Sequence, residues 1–404
     1  MFNKLKQVFT NTNYEHKYSH NLRTKFNSYL EGPKSPVWMN RNYTQFADEA
    51  YCKNVIAYRS INLIAKNASN VDWQVGRIAP NNKFELLANH PLNALLNKPN
   101  PLFSGAAFIE ALIHYLLLAG NAYIQLTKLN NNLQELFLLR PDRVAIIKNG
   151  SQVPLAYQYK SGREEEYFHV ETLTGKSDIL HLKYFHPLDD FYGLSPIEAA
   201  AYSIDQHNQA AKWNQALLQN GARPSGALIV QGDNNLDSHL NDDQYERLKQ
   251  QISENFSGSA NAGKPLLLEG GLKWQEMSLS NKDMEFLEAK NSAAREIALA
   301  FGVPPQLLGI PGDNTYSNLQ EARLALWEET ILPLLNYIST SFNNWFKHFY
   351  NEDIHIRYNA ESISALTNRR EILWQKLSKA DYLTLNEKRA ILGFEPLRDG
   401  DSIK

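Results

Sequence analysis

The stretch Arg295 to Leu335, REIALAFGVPPQLLGIPGDNTYSNLQEARLALWEETILPLL, decides how the chain is built. A helix is expected to end at Gly302, because glycine accepts the left-handed C-cap conformation and Pro304-Pro305 cannot continue the hydrogen-bond ladder. Gly309 to Tyr316 reads as a loop of turn formers. Ser317 with Gln320 three residues on is a capping-box signature, so a new helix is expected from Asn318. Leu319, Ala322, Leu326, Ile331, Leu335, Ile338 and Phe342 form its apolar stripe. Pro333 removes the bond to the carbonyl four residues back and predicts a kink.

Upstream, the character of the chain changes at Gly193. Ser195, Pro196 and Glu198 supply an N-cap, a first-turn proline and a capping-box acid, and Asn220-Gly221 supplies a stop. The helix between them spans about 25 residues, or roughly 37 Å. Its seam, Ile197, Ala201, Ile204, Asn208, Ala211, Gln215 and Leu218, is small and half polar. Such a seam suits packing beside copies of itself in a ring or bundle better than burial in one core. A small insert follows: a strand at Gly226 to Val230, a polar helix at Asp242 to Phe256, and a hairpin of Pro265 to Leu268 with Leu272 to Met277. Ser280 and Asp283 start the helix that runs into Gly302. Two helices that leave and re-enter one body, with a compact βαββ unit at their far end, make a stalk and a foot.

The first part reads as a helix from Thr44 to Asn70, strands at Val71 to Arg77 and Lys83 to Leu87, and a helix from Ser104 to Ala119 ended by Gly120. Six strands follow between Ala122 and Tyr184, separated by Asn/Gly/Ser turns. This is an antiparallel, mixed α+β unit of about 150 residues. The C-terminal part, Asp353 to Lys404, gives a strand at Ile354 to Tyr358 and helices near Thr367 to Ala380 and Leu385 to Ile391. Residues 1–36 carry Lys4, Lys6, Lys17, Arg23, Lys25 and Lys34 against Glu15 and Glu31, and read as a basic, loosely ordered arm.

The 404 residues suffice for two or three compact units, and 43% hydrophobic residues can fill real cores. A formal charge of −2 excludes a uniformly basic nucleic-acid binder, though not a protein that must pass nucleic acid without gripping it. One cysteine, Cys52, excludes intrachain disulfides and points to a reducing compartment. Met1 to Leu30 shows no apolar signal core, and the longest apolar run, Ala111 to Ala119, is too short to span a bilayer, so no membrane role is expected.

Chemistry-bearing constellations are sparse. Gly258 to Lys264 matches the glycines and lysine of a phosphate loop, but Pro265 stands where a magnesium-binding hydroxyl belongs. The context, helix before and strand after, is also reversed. The eleven histidines offer no metal spacing. Asp189-Asp190 reads as a turn rather than a paired-carboxylate site. No cofactor, metal or catalytic residue is expected, and the chain is not read as an enzyme.

Six motifs in unbroken order carry a resemblance. They are Gly120-Asn-Ala-Tyr-Ile124, Asp178-Ile-Leu-His-Leu-Lys183, Tyr192-Gly-Leu-Ser-Pro-Ile197, Asn220-Gly-Ala-Arg-Pro-Ser-Gly226, Leu268-Glu-Gly-Gly-Leu272, and Ala300-Phe-Gly-Val-Pro-Pro-Gln-Leu-Leu-Gly309 followed by Tyr316-Ser-Asn318. Together they resemble the portal proteins of tailed bacteriophages, of the short siphovirus type that also occurs in prophages and gene transfer agents. The resemblance covers about residues 40 to 350.

It implies a ring, usually of twelve subunits, at one capsid vertex of the virion, assembled in the bacterial host cytoplasm, through which double-stranded DNA is packaged and later ejected. By the same resemblance residues 37–192 are the wing, 193–221 and 281–302 the stem helices, 222–280 the clip, 303–317 the tunnel-loop region, 318–352 a long kinked helix and 353–404 a crown-like segment. Implied partners are the terminase large subunit, the head–tail adaptor, and the major capsid and scaffold proteins. Asn314, Tyr316 and Asn318 are the expected lumen-facing contacts, with Lys290 and Arg295 as cationic positions on the stem. Two alternatives stay open: a non-viral ring scaffold, and a nucleotide hydrolase using the Gly258–Lys264 loop.

Overall fold

The structure, a computed structural model, describes residues 39, 41–79, 84–130, 132–148, 150, 152–219, 226–230, 243, 246–247, 250, 272–276, 286–311, 316–350, 352–392, 394 and 396–401. For 216–219, 226–230, 272–276, 286, 316–317 and 368–370 it describes the backbone alone. The arm 1–36, the loop Gly258–Lys264 and the segment 265–268 lie outside the described residues.

Asn54 divides what the periodicity of residues 44–70 presents as one helix. Phe46–Cys52 winds as a wide π-type helix, and α1 (Val55–Ser69) starts afresh. Asn54 is extended, and its Oδ1 accepts hydrogen bonds from the amides of Ile56 and Ala57, both at 3.1 Å. That is an N-cap, which satisfies amides the new helix leaves without partners. A helix absent from the sequence reading, α2 (Pro91–Asn97), begins at His90, whose ring nitrogen accepts from Leu92 N. α3 (Gly105–Ala119) is capped by Ser104 and closed by Gly120 at φ 70°, as expected.

The strands form four small antiparallel sheets. β1 (Trp73–Ile78) lies between β2 (Phe84–Leu86) and a strand from near the other end of the chain, β11 (His355–Tyr358), with Val75 opposite Ile356. β3 (Asn121–Leu129) lies between β4 (Asn132–Leu139) and β8 (Ile179–Lys183), placing Tyr123 opposite both Leu139 and His181. β5 (Val144–Ile147), β6 (Ala156–Ser161) and β7 (Glu164–His169) make a third sheet. Its apolar face joins Tyr123, Leu139 and Ile179 in a secondary core with Val144, Tyr157 and Phe168.

The stem helix expected from residue 195 to 220 is broken. α4 (Pro196–Ala199), capped by Ser195, ends at Ala200, and α5 (Ala201–Gln219) follows. The seam also behaves differently from the expectation along its length. Ile197, Ala201, Ile204 and Asn208 are buried within this chain, whereas Ala211 and Gln215 are exposed. Half of it therefore packs on the chain's own helix α6 (Phe286–Ala300) and the π-type segment. β9 (Gly226–Val230) and β10 (Leu272–Glu276) pair antiparallel, so β10 has a partner other than the expected segment 265–268. Of the helix expected at Asp242 to Phe256, residues 243, 246, 247 and 250 are described, all helical.

α6 stops at Gly302, φ 65°, and one 3-10 turn, Pro305–Leu308, closes at Gly309, φ 71°. α7 (Tyr316–Ala325) begins two residues before the expected start, so Ser317 lies inside its first turn. The irregularity expected at Pro333 is a π-type widening over Leu326–Ile331, and α8 (Leu332–Phe346) follows. Wider turns upstream of a proline accommodate its ring and missing donor. α8 buries Leu335, Ile338, Phe342 and Phe346 in the main core, which also holds Ile61, Leu112, Leu116, Ile204 and Ile297. Each such side chain contributes about 1.5–3 kcal/mol of transfer free energy. α9 (Thr367–Ser378) and α10 (Leu385–Ile391) complete the chain, α10 with a full capping box between Thr384 and Glu387.

Candidate functional site

Three of the sequence motifs meet where the sheet unit hands over to α4. Asn121 Oδ1 accepts from Gly193 N at 2.8 Å, and its Nδ2 donates to the carbonyls of Ala119 (2.8 Å) and Gly193 (3.3 Å). The same Oδ1 accepts from His181 Nε2 at 3.0 Å, which fixes the imidazole as the tautomer protonated there. His181 stacks on Tyr123, ring centroids 4.3 Å apart, and meets Tyr157 edge-on. Burial, with Lys183 adding to it, pushes the His181 pKa down to about 3, so the ring is neutral. Tyr184 N donates to Gly120 O at 2.9 Å, and the Tyr337 hydroxyl on α8 accepts from Lys183 N and donates to Lys183 O. One asparagine thus ties the end of α3, the sheet and the turn at Gly193 together, and one tyrosine ties the long helix to the same place.

A second polar knot lies between the start of α1 and α5. With its Oδ1 committed to capping α1, Asn54 donates through Nδ2 to Asn208 Oδ1 (2.9 Å) and His207 Nδ1 (3.2 Å) on α5. Asn208 in turn donates to Glu49 O at 2.9 Å, and Asp205 accepts from Met39 N at 2.9 Å. Asn54, His207 and Asn208 are all buried. Burial first, and the ammonium of Lys290 second, lowers the His207 pKa. Between α5 and α6 Ser203 donates to Glu296 Oε2 at 2.6 Å.

The loop after α6 is fastened along its described first part, from Gly302 to Pro311. Ile310 is buried against Ala294 and Ala298 of α6, with Ile56 and Leu308 alongside. Thr330 Oγ1 donates to Gly302 O at 2.6 Å, so the π-type widening of the long helix grips the end of α6.

Of the five residues singled out in the sequence, Arg295 is brought to the loop, where its guanidinium donates to the carbonyl of Pro311. It braces the loop rather than pointing away from it. Lys290 is half-buried near His207, five residues from Arg295 and on a different face of α6. Asn318 is exposed in the first turn of α7, Tyr316 has helical backbone, and Asn314 lies outside the described residues. Asn54, Asn121, His207 and Thr330 carry the architecture and were not singled out. Asn54 alone had a readable signal, an N-cap type directly before an apolar run.

This arrangement offers hydrogen bonding and mechanical coupling. Among the described residues no group of three His, Cys, Asp or Glu side chains could hold a metal, and no helix is long and apolar enough to cross a membrane.

The profile of the family described as "Phage portal protein" matches residues 56–393. An uncharacterized protein of Rickettsia bellii is 53% identical over 88% of this chain and 90% of its own length. The portal protein of Escherichia phage T5 is 26% identical over 90% of this chain and 86% of its own. Among solved structures, a chain from the neck of a native gene transfer agent (GTA) particle, computed with C12 symmetry, is 39% identical. It covers 90% of this chain and 96% of its own length, with a TM-score of 0.67.

Proposed function

The chain belongs to the phage portal protein family, and on that premise we propose that it forms a ring, twelve copies strong, at one vertex of a capsid, as the conduit for double-stranded DNA during packaging and ejection. The observation that supports this reading is the packing of α5 on α6 with a loop fastened back onto α6, in a chain 39% identical to one in a C12-symmetric neck. Residues 37–192 form the wing, 193–221 and 281–302 the stem, 222–280 the clip, 303–317 the tunnel loop and 353–404 a reduced crown. The exposed half of the α5 seam, Ala211 and Gln215, supports helix packing between neighbouring copies.

In this reading Asn314, Tyr316 and Asn318 line the lumen, with Lys290 and Arg295 on the stem. Arg295 acts by holding the loop in place. A channel for a polyanion needs few, dispersed cations, because each neutralised phosphate strengthens binding and slows transit; a formal charge of −2 agrees with that. The clip meets the terminase large subunit during filling and the head–tail adaptor afterwards, while the wing meets major capsid and scaffold proteins. Assembly takes place in the bacterial cytoplasm, and the energy for packaging comes from the terminase.

Native mass spectrometry with negative-stain microscopy tests the reading. Twelve copies of 46.1 kDa weigh about 553 kDa, and the expected particle is a ring with a central hole wide enough for duplex DNA. A chain that stays monomeric at high concentration, with capsid and scaffold proteins present, overturns it. Deleting Pro311 to Thr315 is expected to spare the ring and lower DNA content per particle; unchanged DNA content overturns the tunnel-loop assignment.

A further inference from the structure

The hydrogen bonds between α1 and α5 can run in one direction only. Asn54 Oδ1 accepts from the amides of Ile56 and Ala57, so the side chain cannot be turned end for end and its Nδ2 faces α5. One Nδ2 hydrogen goes to Asn208 Oδ1 at 2.9 Å and the other to His207 Nδ1 at 3.2 Å. Nδ1 is therefore bare, and the ring is the neutral tautomer protonated at Nε2. Asn208, with its oxygen used, donates through Nδ2 to the carbonyl of Glu49 in the π-type segment. The other acceptors are amide oxygens, which do not titrate, so His207 Nδ1 is the one that a change of pH can remove.

A proton on Nδ1 sets two donors face to face in a buried place, since Asn54, His207 and Asn208 are 1%, 6% and 8% exposed. The surrounding charges do not compensate it. On α6, Lys290 is a like charge, and burial first and its ammonium second lower the His207 pKa. Glu296, also on α6, accepts from Ser203. On the π-type segment Glu49 is engaged by Lys53 and Lys212, and Asp48 by Lys53. On α5 itself Asp205 accepts from Met39 N. The first turn of α1 holds no acid, and the acid of α4, Glu198, belongs to that helix's first turn.

The knot also sits where α5 leaves the body. Ile197, Ala200, Ala201 and Ile204 are buried upstream of it, and among the described side chains of α5 none beyond Asn208 is buried. On α6 the first buried residue among the described side chains is Ala293. Ile204 holds by apolar contact in the main core, which a proton does not disturb.

We propose that the knot is a proton-operated fulcrum: while His207 Nδ1 is bare α5 is fastened to α1 as far as Asn208, and a proton on that nitrogen undoes this last fastening, so that α5 pivots about one turn earlier, at Ile204. The ring of the opened knot, in water, takes up its proton near the ordinary value of about 6.5, so the open fraction grows as pH falls below that value. The inference goes beyond the conduit reading and concerns a single chain, so it stands or falls without the ring.

Hydrogen exchange at about pH 7.5 and about pH 5, corrected for the intrinsic exchange rate at each, tests it. In the wild type, protection of residues 205–215 is expected to fall roughly tenfold at the lower pH while protection of β3 holds. His207→Asn keeps an acceptor near the Nδ1 position without a titrating group, and its protection is expected to stay level. Asn54→Asp supplies a second variant. It keeps the cap oxygen and turns the facing donor into a carboxylate that accepts from a protonated ring, so its protection is expected to rise as pH falls. Wild-type protection unchanged at the lower pH overturns the fulcrum. An equal fall in His207→Asn, or a fall in Asn54→Asp like that of the wild type, overturns it too. A fall shared by β3 reports global unfolding and overturns it as well.

Discussion

Gly120 and Gly193 meet backbone to backbone: a Cβ on Gly120 would lie 2.6 Å from the carbonyl oxygen of Gly193, and one on Gly193 would lie 2.7 Å from the amide nitrogen of Tyr184. Gly120 also holds φ 70°, which side chains disfavour. Gly120→Ala and Gly193→Ala are therefore expected to destabilise the protein by about 2–4 kcal/mol. Gly309→Ala, with φ 71° but open space around it, should cost only about 1 kcal/mol. Urea unfolding of the three variants checks the ranking; equal losses at all three positions would refute the close-approach argument.

Asn54 serves two helices at once, and its truncation removes both services. Asn54→Ala loses the cap of α1 and leaves His207 and Asn208 without their buried partner, an expected cost of about 2–4 kcal/mol. Asn54→Ser keeps an oxygen for the cap but no amide for α5, and is expected to fall midway. Thermal unfolding reads the difference.

Arg295→Ala frees the Pro311 carbonyl and loosens the loop with little effect on the core. Hydrogen exchange at the Gly309 and Ile310 amides is expected to accelerate roughly tenfold while global stability changes by less than about 1 kcal/mol. Arg295→Lys should recover only part of the protection, because a single ammonium lacks the planar fork of a guanidinium. Unchanged exchange in Arg295→Ala would remove the brace.

Acid should weaken the fold through His181. Its pKa in the folded protein is lowered to about 3, against an ordinary value of about 6.5 in the unfolded chain. The unfolded state therefore takes up the proton first. Stability is full above about pH 6.5 and declines as pH falls toward 3. His207, shifted in the same direction, adds to the decline. His181→Gln is expected to flatten the pH dependence of the unfolding midpoint between pH 7 and 4; a slope identical to wild type would exclude the buried imidazole as its source.

Local grammar made much of the fold legible. Ser104, Gly120, Gly302 and Gly309 mark turns and stops that the sequence announces by residue type, and six strands lie between 121 and 183, the number and span expected. What it could not convey were contacts across long separations. Asn54 lies 154 residues from Asn208, and Asn121 lies 72 from Gly193. Nothing in either neighbourhood specifies those partners. The break at Ala200 was equally silent, since alanine is a helix former. The candidate loop was legible as a loop, but its fastening by Arg295 and Ile310 depends on the loop folding back onto α6, and that by Thr330 on a contact between Gly302 and the long helix 28 residues away.

The pairing of β1 with β11, Trp73 opposite Tyr358, has an evolutionary consequence. Strands that start 282 residues apart in sequence, at Trp73 and His355, close one body between them, so what lies between α5 and α6, β9 and β10 included, is an excursion from a body already sealed behind it. An excursion of this kind can lengthen, shorten or be exchanged between lineages without recutting the body's core. Change at the far tip is therefore expected to run faster than change around Asn121 and Gly193, and chimeras joined within the two helices should inherit their partners from whichever parent supplies the tip.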